Sequence, residues 1–232
     1  MIRCFLSSCA IALTFGTSLD AQQRPVVVEL FTSQGCPSCP SADAYLQDLT
    51  KREDVIALAL HVDYWDYIGW PDTFARPEWT ERQRYYAMAA GQKMVYTPQM
   101  VINGQDSVVG NRVKDVRALI KRHADAAVAV RFSAVRRGDF ARISARVEDV
   151  PQGPFEVQLI RYLPLEDVEI ARGENAGKRI SYVNIVESFD VIGTWDGKGP
   201  LEMDTPLKGD APAVVMIQKQ DHGPIIAAAL VE

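Results

Sequence analysis

Two cysteines three positions apart, Cys36 and Cys39, limit the possible folds of this chain more than any other feature. An apolar run at residues 26–32 is typical of a strand buried on both faces, and residues 41–52 have the apolar spacing of a helix. We therefore expect both thiols at the start of that helix, close enough to form a disulfide. Closing so short a ring stabilises a fold by only about 2 kcal/mol, against about 4.7 kcal/mol for a loop of about 100 residues. The pair therefore favours redox chemistry over an inert cross-link or a metal site.

The segments that follow predict an α/β domain. Apolar runs indicate strands, an Asn103-Gly104 pair predicts a hairpin, and a helix is expected between Pro77 and Gly91. The expected order is β-α-β-α-β-β-α over residues 25–126, with strands at 55–62, 99–102 and 107–109 and helices at 77–90 and 111–126.

The pattern changes at residue 127, where alternating strands replace helices. These strands predict an antiparallel β-sandwich-like region, an all-β C-terminal domain over residues 127–232. Within it, the polar and glycine-rich residues 172–178 are interpreted as a hairpin turn.

The first 21 residues have the composition of a secretory signal peptide. Arg3 precedes an uncharged apolar run at residues 4–16, and Ala21 is a plausible cleavage site. We therefore expect a periplasmic or secreted protein whose mature chain keeps only Cys36 and Cys39. The formal net charge of −5 argues against a nucleic-acid partner, and no other apolar segment is long enough to cross a membrane.

Thr97 and Pro98 are expected beside the cysteine pair. The strand that begins after Pro98 should run antiparallel to the first strand, so that its start lies next to Cys36. Proline is tolerated there because it opens the strand, and the position favours a cis peptide over an ordinary strand-opening proline.

Two segments carry a family resemblance. Residues 31–39 and 96–99 read FTSQGCPSC and YTPQ, and they resemble the active-site turn and cis-proline loop of the thioredoxin superfamily. With residues 61–66 (HVDYWD), the wider pattern is most similar to an uncharacterised-domain family of secreted bacterial thioredoxin-like proteins. The resemblance implies a thioredoxin-like fold for residues 25–126. It also implies a nucleophilic Cys36, a resolving Cys39, a cis peptide before Pro98 and substrate binding by the backbone of Thr97.

Two further residues are candidates for supporting the site. Glu29 is the one charge in the first apolar strand, and a buried carboxylate there would serve the cysteines unless its head reaches solvent. His61 ends the second strand, where it is either a hydrogen-bonded structural residue or a metal ligand.

The sequence therefore predicts an exported thiol–disulfide oxidoreductase that uses no cofactor. Its expected partners are protein thiols or disulfides, or a redox partner protein. Two alternatives remain open. One is a copper-binding module that uses Cys36, Cys39 and His61, since thiolates suit Cu(I). The other is a non-catalytic interaction protein.

Overall fold

The structure is a computed structural model that describes residues 24–126, 130–147 and 153–232. The expected signal peptide at residues 1–21 lies outside the described residues. The described chain contains three α-helices, a short 3₁₀ turn at Asp66–Ile68 and eleven strands. The helices are α1 (Pro40–Leu49), α2 (Pro77–Ala89) and α3 (Val113–Ala124).

The strands of the first half are β1 (Val26–Thr32), β2 (Val55–His61), β3 (Gln99–Ile102) and β4 (Asp106–Val109). Those of the second half are β5 (Val130–Arg137), β6 (Phe140–Val147), β7 (Phe155–Glu169), β8 (Arg179–Trp195), β9 (Leu201–Pro206), β10 (Ala213–Lys219) and β11 (Ile225–Leu230).

The fold class expected from the sequence is wrong. The elements of the first half follow one another in the expected order, but they do not form an α/β thioredoxin-like fold followed by a separate sandwich-like region. Most of the strands join one eight-stranded mixed sheet in the order β11-β10-β7-β8-β2-β1-β3-β4, and β5-β6-β9 form a second sheet. The described part of the chain is therefore mostly β-structure.

The junction between the two halves lies at β2 and β8. Ala59 pairs in parallel with Ile185, and the side-chain amide of Asn184 donates a hydrogen bond to the carbonyl oxygen of Ala57 at 2.8 Å. Strand β8 thereby covers an edge of β2 that would otherwise expose unpaired backbone groups. The alternating pattern of β8 indicates a strand, but it contains no information about which distant edge that strand covers.

Helices pack on both faces of the first-half strands. Alternation along β1 sends Leu30 towards α1 and α3 and Phe31 towards α2, each into its own buried cluster. The three-stranded sheet packs against the other end of the large sheet, where Ile143 and Val215 share a third cluster. This arrangement leaves the end of β1 and the start of α1 to carry the cysteine turn.

Candidate functional site

The two cysteines form a disulfide between β1 and α1. The S–S distance is 2.10 Å and the Cα atoms are 5.4 Å apart. Cys39 is the N-cap of α1, and Pro40, which has no N–H to donate, occupies the first helical position. Both cysteines have no exposed surface, whereas Pro37 and Ser38 between them are exposed. The turn therefore presents its middle residues to solvent and keeps its sulfur atoms inside.

The loop after β2 packs against this turn. The backbone N–H of Gln34 donates to a carboxylate oxygen of Asp72 at 2.7 Å, and the indole N–H of Trp70 donates to the Gln34 side chain at 2.8 Å. A Cβ atom on Gly35 would lie 3.2 Å from side-chain atoms of both Trp65 and Ile68. A side chain at position 35 would therefore require Trp65 and Ile68 to shift by a few tenths of an ångström.

Thr97 and Pro98 lie beside the same helix. The peptide bond between them is cis, and β3 pairs antiparallel with β1 through Gln99 and Phe31. A Cβ atom on Gly110 would lie 3.3 Å from Pro98 and 3.2 Å from Ala42, in the first turn of α1. The structure thus brings Pro98 to the start of α1. Thr97 is also tied to the loop after β2, since its hydroxyl oxygen accepts a hydrogen bond from the Trp65 indole at 2.7 Å.

The tip of the β7–β8 hairpin also reaches the cysteine turn. The side-chain amide nitrogen of Asn175 lies 2.9 Å from the carbonyl oxygens of both Gln34 and Cys36. The ammonium group of Lys178 donates to the other end of the Asn175 amide at 2.8 Å. A residue 139 positions away from Cys36 is therefore part of the site.

A buried polar cluster lies between α1, β1, β2 and the hairpin. The hydroxyl of Thr32 donates to Asp43 at 2.8 Å, and Nδ1 of His61 lies 2.7 Å from a carboxylate oxygen of Asp72. The ring of Tyr182 meets the His61 ring edge to face, with the two centroids 4.9 Å apart. All five side chains are buried.

The two carboxyl groups of this cluster have opposite electrostatic environments. Burial raises the pKa of Asp43 to about 7, although the nearby His61 and the Thr32 hydrogen bond partly oppose that rise. Burial also raises the pKa of Asp72, but the charge of His61 and hydrogen bonds from His61, Gln34 and Phe74 outweigh it and bring that pKa below its ordinary value. Asp72 is thus held ionised, whereas burial favours the neutral form of Asp43.

Asp43 lies one helical turn after Cys39 in α1. It follows Cys39 by four residues on the same face of α1, and its backbone N–H donates to the Cys39 carbonyl oxygen at 3.0 Å. Among the described residues, none donates a hydrogen bond to its second carboxyl oxygen. The sequence contained a signal for this residue, since Asp43 interrupts the apolar stripe of α1 between Ala42 and Leu46.

The structure does not bring Glu29 to the cysteines. Its carboxylate pairs with Arg82 at 2.7 Å and accepts a hydrogen bond from the Tyr86 hydroxyl at 2.6 Å. Both partners belong to α2, which packs on the face of the sheet opposite to α1. Glu29 points to that face because neighbouring residues of β1 alternate, and Leu30 points towards α1. Glu29 therefore belongs to a separate buried ion pair.

His61 is buried and bonded to Asp72 rather than grouped with the sulfur atoms. Over residues 24–126, 130–147 and 153–232, no three His, Cys, Asp or Glu side chains come together in a group that could hold a metal ion. Within the same residues, no helix has the length and hydropathy needed to cross a membrane.

Comparisons with known proteins agree on the fold and give no activity. Residues 27–218 match a family described as "Protein of unknown function (DUF1223)". The chain is 34% identical to an Agrobacterium tumefaciens protein of known crystal structure, with a TM-score of 0.77 over 91% of this chain and 96% of that one. It is 14% identical to HBP35 of Porphyromonas gingivalis, with a TM-score of 0.61 over 90% of this chain and 74% of that one, a similarity of fold alone. The search of curated proteins found no match.

Proposed function

We propose that this protein is a thiol–disulfide oxidoreductase acting through Cys36 and Cys39. The chain belongs to the DUF1223 family of proteins of unknown function. The observation that carries this proposal is the disulfide across a four-residue turn at the N-terminus of α1. Such a ring adds little stability, and the partial positive charge of the helix N-terminus favours a thiolate at the first cysteine.

When external thiols reduce the protein, an external thiolate attacks Sγ of Cys36. The S–S bond breaks, and Cys39 leaves as a thiolate, which takes up one of the two protons that the external thiols release when they ionise; Cys36 takes up the other after it leaves. A second external thiolate then attacks the external sulfur of the mixed disulfide, and Cys36 leaves in turn. The balance is that two external thiols become one disulfide and the protein gains two electrons and two protons. Oxidation of the two cysteines by an external disulfide is the reverse of these steps.

The leader-like residues 1–21 support assigning this activity to an exported protein, where disulfides form and persist. The partners would then be protein thiols or disulfides, or a dedicated redox protein. We assign no cofactor, because thiol–disulfide exchange needs only the two sulfur atoms and the external thiols.

Trapping and redox equilibrium test the proposal together. Cys39→Ser should accumulate a mixed disulfide through Cys36 with an added disulfide such as oxidised glutathione, whereas the control Cys36→Ser should accumulate far less. Equilibration with thiol buffers then gives the electron direction. A reduction potential near about −270 mV indicates a reductase, and one near about −120 mV indicates an oxidant. The absence of a trapped species, together with no reduction of insulin and no oxidation of peptide thiols, would refute the proposal.

A further inference from the structure

The tip of the β7–β8 hairpin, residues 170–178, has the construction of a cap over the cysteine turn. Asn175 is 1% exposed, while the flanking Glu174 and Ala176 are exposed. Asn175 donates hydrogen bonds to the carbonyl oxygens of both Gln34 and Cys36, and Ile170 at the base of the segment is buried as well. We refer to residues 170–178 as the cap.

The cap holds its own shape without help from the turn. The backbone N–H of Gly177 donates to the carbonyl oxygen of Ile170 at 2.7 Å, and that of Lys178 donates to Asn175 at 3.2 Å. Gly173 and Gly177 have φ angles of +76° and +81°, which glycine adopts without strain. A segment that is folded by its own hydrogen bonds can leave the turn as a unit.

The cap is attached to the turn and to the loop after β2 by hydrogen bonds and by close packing. The attachment includes the two hydrogen bonds from Asn175 and a close approach of Gly173, where a Cβ atom would lie 3.3 Å from Trp70. Lys178 orients the Asn175 amide by donating to its oxygen, which keeps the NH₂ group directed at the turn. Opening the cap therefore breaks the two hydrogen bonds from Asn175 and the contact at Gly173.

The disulfide is buried, so part of its surroundings has to move before it can react. Thiol–disulfide exchange needs a thiolate to reach a sulfur atom, and both cysteines have no exposed surface. We propose that residues 170–178 are a cap that opens to expose the Cys36–Cys39 disulfide and that the hydrogen bonds of Asn175 hold it closed. Asn175 and Lys178 are then positioning residues that set how often an external thiolate reaches Sγ of Cys36. This role rests on the proposed function and adds the step that admits the substrate.

The rate of reduction by dithiothreitol tests the cap directly. Asn175→Ala removes both donors, so the rate constant for reduction of the full chain should rise about tenfold or more, since rapid opening makes that rate proportional to the open fraction. Lys178→Met replaces an exposed side chain, so the variant should fold, and the rate constant for its reduction should rise less than that of Asn175→Ala. Lys178→Arg, which keeps a cationic donor, should restore a rate close to wild type. The control Glu174→Ala lies in the same cap with its side chain in solvent, and it should stay within about twofold of wild type.

The dependence of these rates on urea separates a cap from general destabilisation. Opening a cap exposes little surface, so the faster reduction of Asn175→Ala should be present without urea and change little at low urea concentrations. Wild-type rates for both Asn175→Ala and Lys178→Met would overturn the cap. An acceleration that rises with urea as steeply as global unfolding does would overturn it as well. Because dithiothreitol reduction needs no enzymatic turnover, failure of the proposed function leaves this result unchanged, and the two can be distinguished.

Discussion

Replacing Asp43 by asparagine should alter how the stability of the fold depends on pH. Asp43 is fully buried, and its pKa is raised from 3.8 to about 7. The folded chain therefore keeps this carboxyl protonated over an interval of roughly three pH units in which the unfolded chain ionises it. The free energy of unfolding consequently falls as the pH rises from about 4 to about 7. At about 1.4 kcal/mol per pH unit, the full loss from this one group is roughly 4 kcal/mol.

Asparagine cannot ionise, and its side-chain oxygen can still accept the hydrogen bond from Thr32. Wild type and Asp43→Asn should therefore have similar stabilities near pH 4, and the variant should become the more stable protein above pH 7, by up to roughly 4 kcal/mol. The other groups that act on this carboxyl, Thr32, His61 and Asp72, are present in both proteins.

Urea unfolding followed by circular dichroism at unit intervals from pH 4 to pH 8 measures this difference. The matched control is Asp48→Asn, on the exposed side of the same helix, where the carboxylate only pairs with Lys51 in solvent. Its difference from wild type should not develop a comparable dependence on pH, because exposed ion pairs contribute little. If the Asp43→Asn difference stayed within about 1 kcal/mol over the whole range, Asp43 would be ionised in the folded protein and our assignment of its proton would be wrong.

Two further substitutions test the packing around the site. Arg82→Ala leaves the buried carboxylate of Glu29 without its cation and should lower the free energy of unfolding by about 3–5 kcal/mol. The double variant Glu29→Gln/Arg82→Met should recover most of that loss. A loss below about 1 kcal/mol for Arg82→Ala would contradict the buried ion pair. Gly110→Ala should cost about 1–3 kcal/mol, because the new methyl group meets three atoms at 3.2–3.3 Å. Gly199→Ala, which has open space around it, is the control and should change stability little; equal thermal midpoints for the two variants would show that the Gly110 contact is not tight.

Local patterns were enough to locate most of the elements in the first half. The Asn103-Gly104 pair predicted a hairpin, and both residues have positive φ angles, +47° and +66°, between β3 and β4. The antiparallel register of β1 and β3, which brings Pro98 to the start of α1, followed from the order of the strands. The hairpin inference succeeded because it depends on adjacent residues, whereas the pairing of β3 with the distant β1 rested on the expected order of the elements.

The sheet that joins the two halves was beyond such reasoning. Strands β7 and β8 are recognisable from alternation, but their place between β10 and β2 depends on which edges are free once everything else has folded. The same limit applies to Glu29, whose burial was foreseen as a possibility while its partner Arg82, 53 residues away, was not. Pairing between distant segments has no periodic signature in the chain.

The cap shows what this limit means for the candidate site. The composition of residues 172–178 predicts a hairpin turn, and these residues do connect β7 to β8. What composition could not indicate is that Asn175 satisfies the carbonyl oxygens of Gln34 and Cys36, because that depends on the length of the β7–β8 hairpin and on its position beside β2. Buried backbone carbonyls need partners, so the turn that holds the disulfide is completed by a residue from the other half of the chain. The turn that holds the two cysteines and the pairing of the large sheet are therefore linked through one amide side chain.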